Sequence, residues 1–175
     1  ENGISFSKLL PSLDLVAVST ASDIVPIMGE NRILTHYGLQ QLNSKPCTGL
    51  KALIQVCKLS DRTLNINDII FKIGPRLNAA GRMSSGQKVV DLLVEKNFQR
   101  ALELAEEIDQ ENDDRKIDDK EMTKEANDIV TGLEHGENLY SIVLYNENWK
   151  RGVIGIVASR LTEVFYKPAV VLTKS

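Results

Sequence analysis

Asp23 lies in STASDIVP, residues 19–26, where an apolar helical pattern gives way to a turn. A carboxylate there suits a hard cation such as magnesium or manganese, but one carboxylate cannot make such a site. A turn or capping aspartate is the plainer alternative. GPRLNAAGR, residues 74–82, sets Arg76 and Arg82 around Asn78 among small residues. Arginine offers a rigid bidentate fork for phosphate, and glycine and alanine let a strand approach closely; the same residues would also make a tight inter-helix turn with solvated arginines. Arg76, between Pro75 and Leu77, is the better restrained of the two. Gly152-Val153-Ile154-Gly155, leading to Ala158-Ser159-Arg160, follows a strand pattern and opens a helix. Free N–H groups and the helix dipole could hold an anion there; the alternative is packing, with Gly155 and Ala158 letting the helix lie close to a sheet. The pattern is neither a Walker loop nor a dinucleotide fingerprint.

Other reactive residues say less. His36 falls in a helical pattern beside Tyr37, and His135 lies among turn residues, neither with a partner at ligand spacing. Cys47 and Cys57 are too few for a disulfide framework or a thiolate zinc site. Trp149, before Lys150 and Arg151, could stack a base or simply cover a sheet edge.

The elements that must position these residues can be read from periodicity. Leu10, Leu13, Ala17, Ala21 and Ile24 recur at helical spacing, although Val16, Val18 and Thr20 also alternate as a strand would; helix is the preferred reading, and Pro26 and Gly29 should end it near Asp23. Ile33, Leu34 and Tyr37 start a second helix, with Gly38 inside it at some cost in propensity. Leu50, Leu53, Ile54 and Cys57 mark a third, capped by Thr48. A short fourth, 68–73, follows Asn67 as its cap and is halted by Gly74-Pro75, which makes residues 74–86 a loop. Val89, Val90, Leu93 and Val94 resume a helix.

From Phe98 to about Val130 the pattern is one long charged helix. At a rise of about 1.5 Å per residue it spans on the order of 50 Å. One apolar stripe runs through Phe98, Leu102, Ala105 and Ile108, another through Met122, Ala126 and Ile129, with only Ile117 strongly apolar between them. Such a helix commonly bridges two domains through solvent, its exposed middle supported here by Glu111/Arg115 and Arg115/Asp119 pairs. After Gly132 and Gly136 the pattern becomes strand (140–145), helix (153–165) and strand (169–173), a parallel βαβ unit too small to cover both faces of a sheet.

Composition bounds the reading. The chain has 175 residues, 42% of them hydrophobic, which is enough to bury a core. It has no apolar run of membrane length and no signal-peptide pattern, and with two cysteines a reducing cytoplasm is its expected setting. Residues 95–125 hold twelve of the 24 acidic but only six of the 21 basic residues, leaving the remainder net basic. The overall negative charge argues against a chain coated in nucleic acid and permits a local phosphate-binding surface.

LDLVAVSTASDIVPIMGENRILTHYGL, IGPRLNAAGRM and GVIGIVASRL, in that order, resemble the RecJ family of single-stranded-DNA-specific exonucleases in the DHH phosphoesterase superfamily, over about Leu13 to Thr173. The resemblance implies an α/β architecture: residues 1–97 as the mostly helical C-terminal part of a DHH catalytic domain, 98–131 as a connecting helix, and 136–175 as the incomplete βαβ start of a DHH-associated domain. It implies that Asp23 is one ligand of a catalytic pair of Mn2+ or Mg2+ ions, that Arg76, Asn78 and, less directly, Arg82 line the substrate groove, and that Ser159 and Arg160 contact phosphate.

The family's upstream aspartate-rich motifs, its Asp-His-His triplet and its downstream glycine-rich segment are absent, and Trp149-Lys150-Arg151 stands where a histidine is common. The chain therefore reads as an internal fragment, inactive alone, of a metal-dependent 5′-to-3′ exonuclease acting on single-stranded DNA in repair and recombination, with repair proteins as possible partners. The alternatives are a smaller DHH phosphodiesterase acting on short oligonucleotides or nucleotide second messengers, and a non-catalytic nucleic-acid-binding relative.

Overall fold

The computed structural model describes residues 5–83, 86–132 and 139–174. They group into two compact units, Glu1–Asn112 and Asp113–Ser175.

The first unit is helical. A short α1 (Phe6–Leu9) and a 3-10 turn lead into α2 (Leu13–Ser22), followed by α3 (Gly29–Ser44) and α4 (Thr48–Val56). Helix α3 lies against α2 at Gly38, where a Cβ would stand 2.1 Å from the Leu13 carbonyl oxygen. The glycine that weakens the helix locally is thus what lets two helices meet backbone to backbone. Thr48 does not cap α4. Cys47 holds the cap position with no side-chain cap bond, and its own N–H is taken by the fully buried Asp14 carboxylate at 2.7 Å, which ties the start of α4 to α2. Burial, with Asp14 alongside, pushes the Cys47 thiol up and keeps it protonated, a poor nucleophile.

The next helical run departs furthest from its sequence reading. Its cap is Asn65 rather than Asn67: the Asn65 side chain accepts from the Asn67 and Asp68 N–H groups, while Asp68 accepts from the Asn65 N–H, a reciprocal capping box. Helix α5 (Ile66–Asp68) passes through a π turn (Ile69–Ile73) into α6 (Gly74–Met83), so Gly74-Pro75 does not halt the chain and 74–83 is helix rather than loop. The Gly74 N–H reaches back to the Ile69 carbonyl. Pro75, which has no N–H, falls in the first turn of α6, where a helix tolerates proline. Helix α7 (Gly86–Val94) follows.

Helix α8 (Phe98–Gly132) is continuous over 35 residues. Its N-terminal part buries Ala101, Leu104, Ala105 and Ile108 in the first unit's core, beside Leu42, Leu50, Leu53, Ile69, Ile73 and Leu92. Lys88 of α7 reaches Glu111 at 2.5 Å and Glu107 at 3.2 Å on α8, and these two carboxylates raise its pKa. The middle of α8 is only partly solvated as expected: Ile117 is exposed, but the polar Asn112 and Asp119 are buried. Asp119 is covered because it serves a tertiary partner described below.

In the second unit, β1 (Ile142–Tyr145) and β2 (Ala169–Leu172) pair in parallel, Ile142 opposite Ala169, and α9 (Ile154–Phe165) crosses between them. This is the expected βαβ unit. Ile142, Leu144 and Val171 face inward with Val157 and Leu161 of α9, together with Met122, Ala126 and Val130 of α8. Val143, Tyr145, Val170 and Leu172 are exposed. Trp149 is not available to stack a base: it is buried, and its indole N–H donates to Glu125 at 2.7 Å, a carboxylate that also accepts from Asn146.

Candidate nucleic-acid interface

Helix α2 ends in a Schellman turn. The Val25 N–H bonds the Thr20 carbonyl at 3.0 Å and the Ile24 N–H bonds that of Ala21 at 3.2 Å. The residue that must turn left-handed is Ile24, with φ 54°, where glycine is usual. A β-branched side chain bears a strain there that local sequence would avoid. Ile24 is also 74% exposed, so its burial does not offset the cost. Asp23 is the C-cap residue of this turn, exposed at the surface.

Helix α6 abuts the same turn. A Cβ on Gly74 would stand 2.7 Å from the Ser22 hydroxyl, which is enclosed, and the Asn78 amide reaches the Ser22 carbonyl at 3.5 Å. Asn78 is thereby brought beside Asp23. Arg82, four residues on, lies on the same face of α6 and is exposed. Arg76 lies on another face. Its Nε donates to Asp109 of α8 and its Nη1 to the Lys72 carbonyl, both at 2.7 Å, and the side chain is only 17% exposed. Its fork is therefore engaged by the protein, whereas the sequence reading left it free in a loop.

Among the described residues no three His, Cys, Asp or Glu side chains converge as a metal site. Asp23 offers one exposed carboxylate, and a hard cation takes six or more oxygens, so these residues alone do not suffice to hold one. His36 exchanges a hydrogen bond with Gln40, and His135 lies outside the described residues.

In the second unit the start of α9 is not an open anion cradle. Val153 is its cap, the Val153 and Ile154 N–H groups both bond the Lys150 carbonyl, and those of Ile156 and Val157 bond Val153. Nor does Gly155 pack on the sheet; a Cβ there would meet nothing within 4 Å. Ser159 is exposed and returns its hydroxyl to the Gly155 carbonyl. Arg160 projects to α8, where its Nη2 donates to Asp119 at 2.7 Å. The sequence pattern did not reveal Asp109 and Asp119 as partners of the two arginines, because each pair joins residues more than thirty positions apart.

No protein-family model matches the chain. RecJ of Escherichia coli (strain K12), a single-stranded-DNA-specific exonuclease, is 38% identical over 173 residues, 97% of this chain and 30% of that protein. RecJ of Bacillus subtilis (strain 168) is 40% identical over 160 residues, 91% of this chain and 20% of that protein. The chain belongs to the RecJ family. The backbone agrees: RecJ of Thermus thermophilus solved with Mg2+ superposes with a TM-score of 0.81 at 30% identity, over 94% of this chain and 25% of that one. A RecJ structure bound to manganese gives 0.83 at 29% identity, over 94% of this chain and 40% of that one. The chain spans about a third or less of the curated RecJ relatives it matches.

Proposed function

We propose that these residues work as part of a single-stranded-DNA-specific exonuclease that hydrolyses phosphodiester bonds with Mn2+ or Mg2+, 5′ to 3′, in cytoplasmic DNA repair and recombination. The observation that carries this is the RecJ likeness over 97% of the chain, which includes the Asp23 turn, α6 and α9. Residues 1–97 are read as the end of a DHH catalytic domain, 98–131 as its connecting helix, and 136–175 as the start of the DHH-associated domain. The 35-residue length of α8 favours this over a smaller phosphodiesterase.

Asp23 contributes one hard oxygen ligand to a metal centre whose other ligands come from outside these residues. When bound, the metal ions supply an activated water and charge stabilisation at the leaving oxygen. Asn78 and Arg82, on the face of α6 beside Asp23, hold the strand, and Ser159 and Arg160 contact phosphates in the second unit. Arg76, with two nitrogens engaged, keeps only Nη2 for the strand and chiefly holds α6 against α8.

The test uses the full-length protein. Asp23→Asn should lower turnover on single-stranded DNA by on the order of a hundredfold or more and weaken calorimetric Mn2+ binding, while leaving DNA affinity nearly unchanged. Equal losses in turnover and DNA affinity, with Mn2+ binding intact, would make Asp23 a structural cap.

A further inference from the structure

The most acidic stretch of the chain carries three of its six cations on one side. Lys116, Lys120 and Lys124 follow each other at i, i+4, i+8 on α8 and line an open concavity of about 520 Å³ with Thr123, Asn127 and Arg160. Its two carboxylates are Asp119 and Asp128. Asp119 is already committed, accepting from Arg160 at 2.7 Å and from Thr123 at 3.3 Å. Lys116 makes an exposed pair with Asp113, which contributes little and exchanges readily. Lys120 and Lys124 are exposed and have no ion pair among the described residues. Glu121, Glu125 and Ile129 line an adjoining concavity that shares Lys124 and Asp128 with the first. The acidic balance of α8 therefore conceals a face on which four cations gather, Lys116 paired with Asp113 and Arg160 with Asp119, while Lys120 and Lys124 lie beside Asp128.

Spacing identifies the ligand. A step of four residues advances about 6 Å along a helix axis, comparable with the separation of successive phosphates in an extended strand. Three lysines in register present a row of point charges that suits a repeating anion and carries no base-reading geometry. Asn127 adds a carboxamide to the lining, its oxygen enclosed without a hydrogen-bond partner among the described residues. We infer that Lys116, Lys120 and Lys124, with Arg160, form a track for the phosphate backbone of single-stranded nucleic acid along α8. This rests on the nuclease reading above and extends its strand-binding surface from α9 onto the connecting helix. The charge ladder would also attract an acidic protein segment, which the experiment separates.

In the full-length protein, Lys116, Lys120 and Lys124 are changed together to glutamine, and binding of fluorescent oligothymidylate and of a mixed-sequence oligonucleotide is measured against salt. Three lost phosphate contacts should flatten the salt dependence by roughly 2 in log–log slope, and weaken both probes equally by roughly 10- to 100-fold at low salt. The matching triple arginine variant should keep affinity and slope, because it keeps the charge at each position. Unchanged affinity and slope in the glutamine variant, with the fold intact by circular dichroism, would overturn the track and leave an exposed ladder suited to an acidic protein segment. A loss confined to one base sequence would also overturn it. If the wild-type protein neither binds nor digests single-stranded DNA, the nuclease reading itself fails, an outcome distinct from these.

Discussion

Arg76 and Arg160 each leave their own helix to reach an aspartate of α8, and both pairs close at 2.7 Å, yet their surroundings differ. Arg76 is 17% exposed and has a second bond to a main-chain carbonyl; Arg160 is 49% exposed and gives up one nitrogen. The first sits in a unit whose core draws on helices from α2 to α8, the second beside a two-stranded sheet and one crossing helix. Burying a guanidinium commits it, because each polar nitrogen removed from water must find a protein acceptor. Leaving it half in solvent keeps donors free for a ligand. The same residue type in two glycine-flanked motifs thus serves cohesion in one unit and remains available in the other.

The glycines repeat this contrast and supply the strongest way to break it. Gly38→Ala would drive a methyl into the Leu13 carbonyl and the Ala17 side chain, so α2 and α3 must separate. The expected loss is about 3 kcal/mol, read by urea unfolding of the chain. A neutral result would mean that the helices repack freely and that the first unit is less tightly built than described. Arg76→Ala should come next, with a loss of about 2 kcal/mol from leaving Asp109 partly buried without its partner. Arg160→Ala should stay within about 1 kcal/mol, since its pair is half exposed. Equal losses would erase the distinction between the two arginines.

A smaller effect concerns the capping box. Burial pushes the Asp68 carboxyl up, but the Asn65 N–H, the Arg62 guanidinium and Lys72 together outweigh it and hold the pKa below the usual carboxylate range. A folded-state value below the unfolded one, about 3.9, contributes stability above that pH, which is lost as pH falls through the folded value. The wild-type chain should therefore lose stability steeply below about pH 4, and Asp68→Asn should flatten that limb at a cost of about 1 kcal/mol at neutral pH. Melting curves across the acid range would check it. The smallest change should be a gain, from Gly155→Ala in α9, which fills open space. It should add about 0.5 kcal/mol, seen as a slight rise in Tm of the second unit. A loss there would restore the sheet-packing role that the sequence suggests for this glycine.

Periodicity alone located α2, α4, α7, α8 and the βαβ unit, because an amphipathic stripe and an alternating apolar run are local consequences of facing a core. The motif residues were legible as well, including Asp23 at the end of α2 and the arginines of 74–82. The lysine ladder was also present in the sequence, but its four-residue step was hidden within a net acidic stretch.

Other features depended on distant groups. Residues 74–83 read as a loop because Gly-Pro is a local stop signal, yet a π turn behind it and the packing of Gly74 against Ser22 carry the helix through. Thr48 was the nearest capping side chain, but Cys47 holds the cap position and its N–H goes to Asp14, over thirty residues away. The availability of each arginine was likewise settled by Asp109 and Asp119. Sequence determines which side chains can be apolar, charged or turn-forming at a given spacing. Which donor meets which acceptor, and whether water still reaches the pair, is decided only when segments far apart in the chain are brought into contact, since desolvation belongs to the assembled neighbourhood and not to any one residue.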